Sequence, residues 1–229
     1  MLKIDKWLST QLRYPAYNIN NVNVKNFNFF KFKSQNVLIS IKSNKKLNNT
    51  FLNKNKIKLI ENNLTFFKNS KKIKLDDNYF KNIRFANNFD KKKILDIAEN
   101  SFINSRFFRD KKIKKNLAKK IKRNWVFNFF REKRGEYLII SEYNKKVVGF
   151  LLILKNKNNY IIDLIAVKKN YQNLGFGTKM IRFFENIVLK RNKVKIYVST
   201  QSNNKDSIKL YIKNQFKVKY RKYVYHFNG

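Results

Sequence analysis

Glycine and proline are so scarce in this chain, five and one among 229 residues, that a Gly-x-Gly pair at Gly175 and Gly177 constrains its folding more than any other feature. Elsewhere the chain mostly uses Asn where it must turn. Here the apolar run Tyr160 to Val167 ends, and after a polar stretch a helical pattern begins near Gly177. Glycine kept against such a background marks a main chain that takes positive φ or passes close to a ligand, so that successive N–H groups converge on an anion. The helix that follows adds the partial positive charge and unpaired donors of its N-terminus. A tight strand-to-helix turn without a ligand is the plainer alternative. Two phosphate-binding patterns are excluded. GxGxxG needs a third glycine where Met180 stands, and GxxxxGK followed by Ser or Thr needs a Lys where Thr178 stands.

Hydrophobic periodicity sets out the elements around this loop. Asp90 to Phe102 reads as a helix with Ile94, Ile97 and Ala98 on one face, and Lys112 to Phe130 as a second with Leu117, Ile121 and Trp125 at spacing four. Glu136 to Glu142, Val147 to Leu154 and Tyr160 to Val167 read as strands with short turns between them, which predicts an antiparallel meander. After the turn Lys168 to Asn173 come a helix from Gly177 to Lys190, a strand over Val194 to Thr200, a helix from Asp206 to Asn214 and a strand pair within Phe216 to Phe227. The sum is an α/β fold: one mixed sheet with helices on both faces. Upstream, short β-like runs at Val37 to Ile41 and Leu64 to Phe67 lie among Asn and Lys. Residues 1–83 therefore read as a small N-terminal α/β domain, joined through the polar stretch Asp76 to Asn88 to a larger domain over 84–229.

Fifty-three Lys and Arg against 14 Asp and Glu leave a net charge of +39. Nucleic-acid binding is the function class such a charge raises first, with strong salt dependence as its signature. The lysines are spread along the chain, however, and no basic run exceeds the three residues Lys91 to Lys93. We read the joint excess of Lys, Asn, Ile, Phe and Tyr as codon bias, and nucleic-acid binding as the alternative. A hydrophobic share of 43%, with 22 Phe and 12 Tyr, supports a packed core and not a disordered chain. Without Cys there is no disulfide, thiolate nucleophile or Cys-ligated zinc, and a lone His226 leaves no multi-His metal cluster. The longest mainly apolar run, Val147 to Leu154, falls far short of the ~20 residues that cross a bilayer. No secretory signal pattern opens the chain. The expectation is a soluble cytoplasmic protein with no metal and no membrane partner.

The run Ile161 to Met180 resembles the acetyl-CoA loop of the GNAT N-acetyltransferase superfamily, in which Gln or Arg is followed by x-x-Gly-x and then Gly or Ala. Gln172, Gly175 and Gly177 match it. A second superfamily element, N-x-x-(A/S)-x-x-L-Y, is matched by Asn204, Ser207, Leu210 and Tyr211. The resemblance implies a GNAT-like mixed sheet and acetyl-CoA as cosubstrate. It implies coenzyme contacts from Ile165, Ala166 and Val167, then from Gln172, Asn173 and Leu174. It extends them to Gly175, Phe176, Gly177 and Thr178, and to Asn204 and Ser207, although Asn204 reads equally as a helix cap.

More narrowly, Tyr197 to Gln201, Tyr211 to Gln215 and Tyr220 to Phe227 resemble the dTDP-fucosamine acetyltransferase family, which acetylates the 4-amine of a nucleotide-linked dideoxy sugar. Ser105-Arg106-Phe107 and Trp125 resemble that family's S-R-F and helix-borne Trp. This resemblance implies a nucleotide-linked amino sugar as the acceptor, in surface polysaccharide synthesis. Arg106, Trp125, Thr200 and Gln201 would then contact it. Arg106 reads alternatively as a surface ion-pair partner and Trp125 as a core residue. A protein N-terminus or another small amine is the competing acceptor. In one respect the chain departs from the superfamily: Gln215 replaces the Gly before Phe216, and the expectation is that Asn214 supplies the left-handed turn.

The chemistry so implied is direct attack of an uncharged amine on the thioester in a ternary complex, with positioning and charge stabilisation as the enzyme's main work. The resemblance makes the amide near Val167 the donor to the developing oxyanion and Tyr211 the general acid for the departing thiolate. Asp163 reads as the base acting through water, or else as a strand-edge charge. The terminal strands offer a route to a homodimer.

Overall fold

The computed structural model describes residues 2–20, 24–69, 75–188 and 194–229. Its elements are β1 (Lys3–Ile4), α1 (Lys6–Leu12), β2 (Ala16–Asn20), β3 (Leu38–Ser43), α2 (Asn49–Lys54) and β4 (Lys58–Asn69). Then come β5 (Ile83–Phe85), α3 (Lys91–Ser101), α4 (Arg106–Arg109), α5 (Lys115–Phe127), β6 (Tyr137–Tyr143), β7 (Lys146–Asn156) and β8 (Asn159–Val167). The chain closes with α6 (Phe176–Val188), β9 (Lys195–Gln201), α7 (Lys205–Lys213) and β10 (Lys217–Asn228). The expected helix end at Lys190 lies outside the described residues.

The ten strands among the described residues join one mixed sheet in the order β1-β2-β3-β10-β4-β9-β8-β7-β6-β5. The meander β6–β7–β8 is antiparallel as its short turns predict, and the α6 crossover makes β9 parallel to β8. One expectation fails at the end of the larger segment. The predicted strand pair within Phe216 to Phe227 is one twelve-residue strand, β10, paired antiparallel with both β3 and β4. Its partners come from the leading segment, and β4 also pairs along β9. Register shifts at Val218/Tyr220 and Val224/Tyr225 bend it across them. β10 is bonded on both sides over Tyr223–His226 and pairs with β4 alone over Lys217–Lys222. The polar stretch Asp76 to Asn88, read as a junction, holds β5, which covers the outer edge of β6.

The core divides by sheet face. Met180, Ile181 and Phe184 of α6 and Tyr211 of α7 pack on Ile139, Leu151, Ile153, Tyr160 and Ile162. Ile94, Leu95, Ile97 and Ala98 of α3 and Val126 of α5 pack on the opposite face, against Leu138, Ile140, Phe150, Leu152, Leu164 and Ala166. Each such side chain contributes about 1.5–3 kcal/mol when fully buried. The leading segment shares these cores. Leu8 and Leu12 of α1 pack with Phe107, Ala118 and Ile121, and buried Lys68 of β4 reaches Glu185 of α6 at 2.6 Å.

Candidate active site

The site begins with an irregularity in β8. Leu152 pairs with Leu164, but Ile153 pairs with Ile162, so Asp163 is an extra residue that no residue of β7 faces. A β-bulge of this kind resets the two-residue alternation. Tyr160 and Ile162 face α6 while Leu164 and Ala166, of the same parity, face α3. At the bulge the parallel pairing stops. β8 holds β9 only over Asn159–Ile162 with Lys195–Val198, then stays with β7 to Val167, while β9 stays with β4 to Gln201. The split opens a cleft of about 790 Å³. Lys168 donates its N–H to Val148 of β7 at 2.8 Å, so by alternation the amides of Val167 and Ile165 turn away from β7, into the split.

One end of the cleft is walled by main chain. Past Val167 a 3-10 turn, Lys169–Tyr171, leads into the loop. The Gln172 amide donates to the Val167 carbonyl at 3.0 Å, tying the loop back to the strand end. Asn173 and Gly175 take φ of 62° and 83°. A Cβ at Gly175 would meet no atom within 4 Å, so conformation and not crowding demands that glycine. Gly177 answers to a different constraint: a Cβ there would lie 3.2 Å from Leu210, so it lets α6 approach α7. Ile165, Ala166 and Val167 line the cleft, as do Gln172, Asn173, Phe176 and Thr178. Leu174 does not; it is 58% exposed and points elsewhere.

Helix α7 forms the floor. Asn204, which lines the cleft, caps it by accepting the Ser207 N–H at 3.2 Å, and Ser207 also lines the cleft. Tyr211 is buried between Phe66 and Phe216 yet reaches the cleft wall. Burial pushes its phenol well above the ordinary value, so it stays protonated and able to donate. The expected left-handed residue is displaced by one: Gln215 takes φ 64° and Asn214 does not. Asn214 is instead buried, donating its amide to Thr178 Oγ1 at 3.1 Å and to the Leu210 carbonyl at 2.8 Å. The bond to Thr178 fastens the end of α7 to the start of α6.

The other end is walled by side chains. Asp163 accepts from Arg134 Nε and Nη2 at 2.7 and 2.8 Å and from Trp125 Nε1 at 2.9 Å. Its carboxylate is therefore occupied by a two-point ion pair and an indole, a poor starting state for a proton acceptor. Thr200 and Gln201 line the cleft at the end of β9, and Gln201 donates to Glu61 Oε1 of β4 at 2.9 Å. Arg106 and Trp125 border a second pocket of about 290 Å³ with Trp7, Phe107, Lys133 and Arg134. His226 lines neither cavity; buried, it meets Asp110 at 2.6 Å.

Sequence reasoning missed Lys122, Arg134, Glu61 and Trp7. Lys122 lines the cleft one helical turn before Trp125, and burial pulls its ammonium down to about 8, against the nearby negative charges of Asp163 and Glu61. In a chain with 53 cations a single Lys carries no signal. Glu61 does carry one, as a rare acid inside a strand. Among the described residues no three His, Cys, Asp or Glu side chains gather as metal ligands would, and no helix is long and apolar enough to cross a membrane.

Comparison with known proteins matches residues 97–216, just over half of the chain, to the family described as Acetyltransferase (GNAT) family. Spore coat polysaccharide biosynthesis protein SpsD of Bacillus subtilis (strain 168) is 30% identical over 142 residues, 60% of this chain and 47% of that protein. The chain thus spans about half the length of the curated relative it matches. A functionally unknown conserved protein from Staphylococcus epidermidis ATCC 12228 shares the fold over 96% of this chain and 88% of its own, with a TM-score of 0.64 at 15% identity. An acetyltransferase from the GNAT family of Colwellia psychrerythraea aligns over 91% of this chain and 73% of its own, with a TM-score of 0.55 at 12% identity.

Proposed function

Because this chain belongs to the acetyltransferase (GNAT) family and is therefore read as an N-acetyltransferase, we propose that its acceptor is the amine of a nucleotide-linked amino sugar used in surface polysaccharide synthesis. The donor is acetyl-CoA, transfer is direct within a ternary complex, and the setting is the cytoplasm. The observation that carries the acceptor class is the side-chain lining around Asp163, where Lys122 lines the cleft and Trp125, Phe107, Arg106 and Arg134 line the second pocket, combining aromatic faces with cations. The 30% identity to a polysaccharide biosynthesis protein supports the same direction.

The loop fits a coenzyme diphosphate on its own geometry: a positive-φ main chain at Asn173 and Gly175, no side chain at Gly175, and the start of α6 directly after it. When bound, acetyl-CoA supplies the activated acetyl group. In this reading Gln172, Gly175, Gly177 and Thr178 hold the diphosphate side. The amides of Ile165 and Val167 face the reacting carbonyl and stabilise the oxyanion. Tyr211 donates to the departing sulfur. With ordinary values of roughly 10 and ~8.5, full proton transfer costs about 2 kcal/mol, and burial of Tyr211 raises that cost, so hydrogen bonding to the thiolate is the larger part of its role. Asp163 holds Arg134 and Trp125 against the acceptor, and water takes the amine proton.

The test supplies purified protein with acetyl-CoA and either dTDP-4-amino-4,6-dideoxygalactose, other nucleotide-linked amino sugars, an N-terminal peptide or a polyamine, and reads free thiol. Release with a nucleotide-linked amino sugar alone is expected. Turnover of the peptide or polyamine and of no nucleotide-linked sugar overturns the acceptor class. Tight nucleic-acid binding that weakens steeply with salt, together with indifference to acetyl-CoA, overturns the enzyme reading as a whole.

A further inference from the structure

Two cations, Lys122 lining the cleft and Arg106 lining the second pocket, lie over one aromatic ring and have no carboxylate partner among the described residues. Lys122 Nζ lies 4.8 Å from the Trp125 ring centre, 5.2 Å from Phe102 and 5.9 Å from Phe107. Arg106 Cζ lies 4.7 Å from the same Phe107 ring, and Arg106 Nη1 donates to Ser40 Oγ at 3.3 Å. Among the described residues neither forms an ion pair with a carboxylate. The acids whose fields reach them are engaged elsewhere. Asp163 of β8 is held by Arg134 and Trp125. Glu61 of β4 accepts from Gln201 and Asn63. Asp5 accepts from the Leu8 N–H and the Asn18 amide.

Like charges held near one another, partly out of water and with every nearby acid occupied, are costly in the free protein. That cost disappears when an anion arrives. We infer that Arg106 and Lys122, sharing the Phe107 ring, form a seat for the phosphate groups of the acceptor, separate from the main-chain loop at Gly175 that takes the coenzyme diphosphate. The inference rests on the nucleotide-linked acceptor proposed above and names the residues that read its charge.

A consequence follows for pH. Lys122 is faced by Asp163 from β8, Glu61 from β4, Arg106 from α4 and Arg134 beyond α5, and burial leaves it half-charged near pH 8. A phosphate in the seat favours its charged form, so binding above that pH draws in a proton. Affinity then falls about tenfold between pH 7 and pH 9, because one linked proton changes affinity tenfold per pH unit above the free value.

Calorimetry on the full chain tests this, with saturating coenzyme A present so that the loop is filled. The probes are dTDP and inorganic pyrophosphate, titrated at pH 7 and pH 9 in buffers of different ionisation heat. Both should bind, take up a fraction of a proton at pH 9, and weaken about tenfold from pH 7. Lys122→Met and Arg106→Met should each weaken binding by about tenfold or more, the loss of a charged hydrogen bond, while thermal stabilisation by acetyl-CoA stays as in the wild type. Lys122→Arg, charged at every accessible pH, should keep binding and lose the proton uptake. Binding of both probes by Lys122→Met as tightly as by the wild type, binding without proton uptake, or no binding of either probe each overturns the seat. Pyrophosphate binding with proton uptake, but no turnover of any nucleotide-linked sugar, leaves the seat standing and removes the nucleotide reading. Turnover of such a sugar with an unchanged KM in Lys122→Met does the reverse.

Discussion

The two ends of the cleft are made of different material. At the coenzyme end the walls are main chain: the turned-out amides of β8, two positive-φ residues and the start of α6. At the other end the walls are side chains, from α5, β8 and β9 in the cleft and from α1, α4 and α5 in the second pocket. The contrast teaches how one fold serves one donor and many acceptors. Main-chain donors depend on backbone shape and tolerate drift in the surrounding residues. Side-chain walls change with each substitution, so under the proposed function specificity for the acceptor is set there.

Substitutions can break or sharpen that division. The largest effect is expected at the floor between the ends, where Tyr211→Phe should cut kcat by about 10²-fold or more while the coenzyme Kd stays put. Unchanged turnover would reduce Tyr211 to packing against Phe66 and Phe216. Next, Gly175→Val forces a branched residue to φ 83°. Strain of about 1–3 kcal/mol should weaken acetyl-CoA binding roughly 5- to 150-fold, read by thermal shift, and leave dTDP binding intact. Equal loss of both ligands would erase the division between ends.

Asp163→Asn removes the two-point pair with Arg134. It should raise the acceptor KM about tenfold, with donor affinity unchanged and the pH profile of kcat kept. Loss of the acidic limb of that profile would instead make Asp163 the base. The smallest effect belongs to His226, which ties β10 to Asp110 just past α4, the helix that carries Arg106. Burial holds its pKa below the ordinary value despite Asp110. The unfolded chain therefore binds the proton more readily. Stability should fall as the pH drops from 7 through 6, by at most about 1.4 kcal/mol per unit. His226→Gln should flatten that slope, and an unchanged slope would remove His226 as its source.

The loop at Gly175 was legible as a positive-φ turn between strand and helix because its requirements are local. Gly175 must be glycine whatever surrounds it, and the strand, loop and helix follow in one stretch of chain. Even there tertiary contacts intervened: Leu210 approaches Gly177, and Gln215 takes the left-handed turn while the buried Asn214 donates its amide to Thr178. The acceptor end was mostly hidden. Arg106 and Trp125 were named as site residues only through resemblance, whereas Lys122, Arg134 and Glu61 come near one another only after segments far apart in the chain pair and pack. Strand β4 escaped in part for the same reason, since Glu61, Asn62 and Asn63 interrupt its apolar pattern beside Gln201, which donates to Glu61.

By itself the amino-acid sequence determined the meander, the crossover and the loop, because each follows from periodicity and backbone conformation within a few neighbouring residues. The tertiary structure alone decided that β4 lies between β9 and β10, that one extra residue at Asp163 splits the sheet, and that two unpaired cations share a ring beside it. Those features depend on pairing energies between distant segments, which no local pattern encodes.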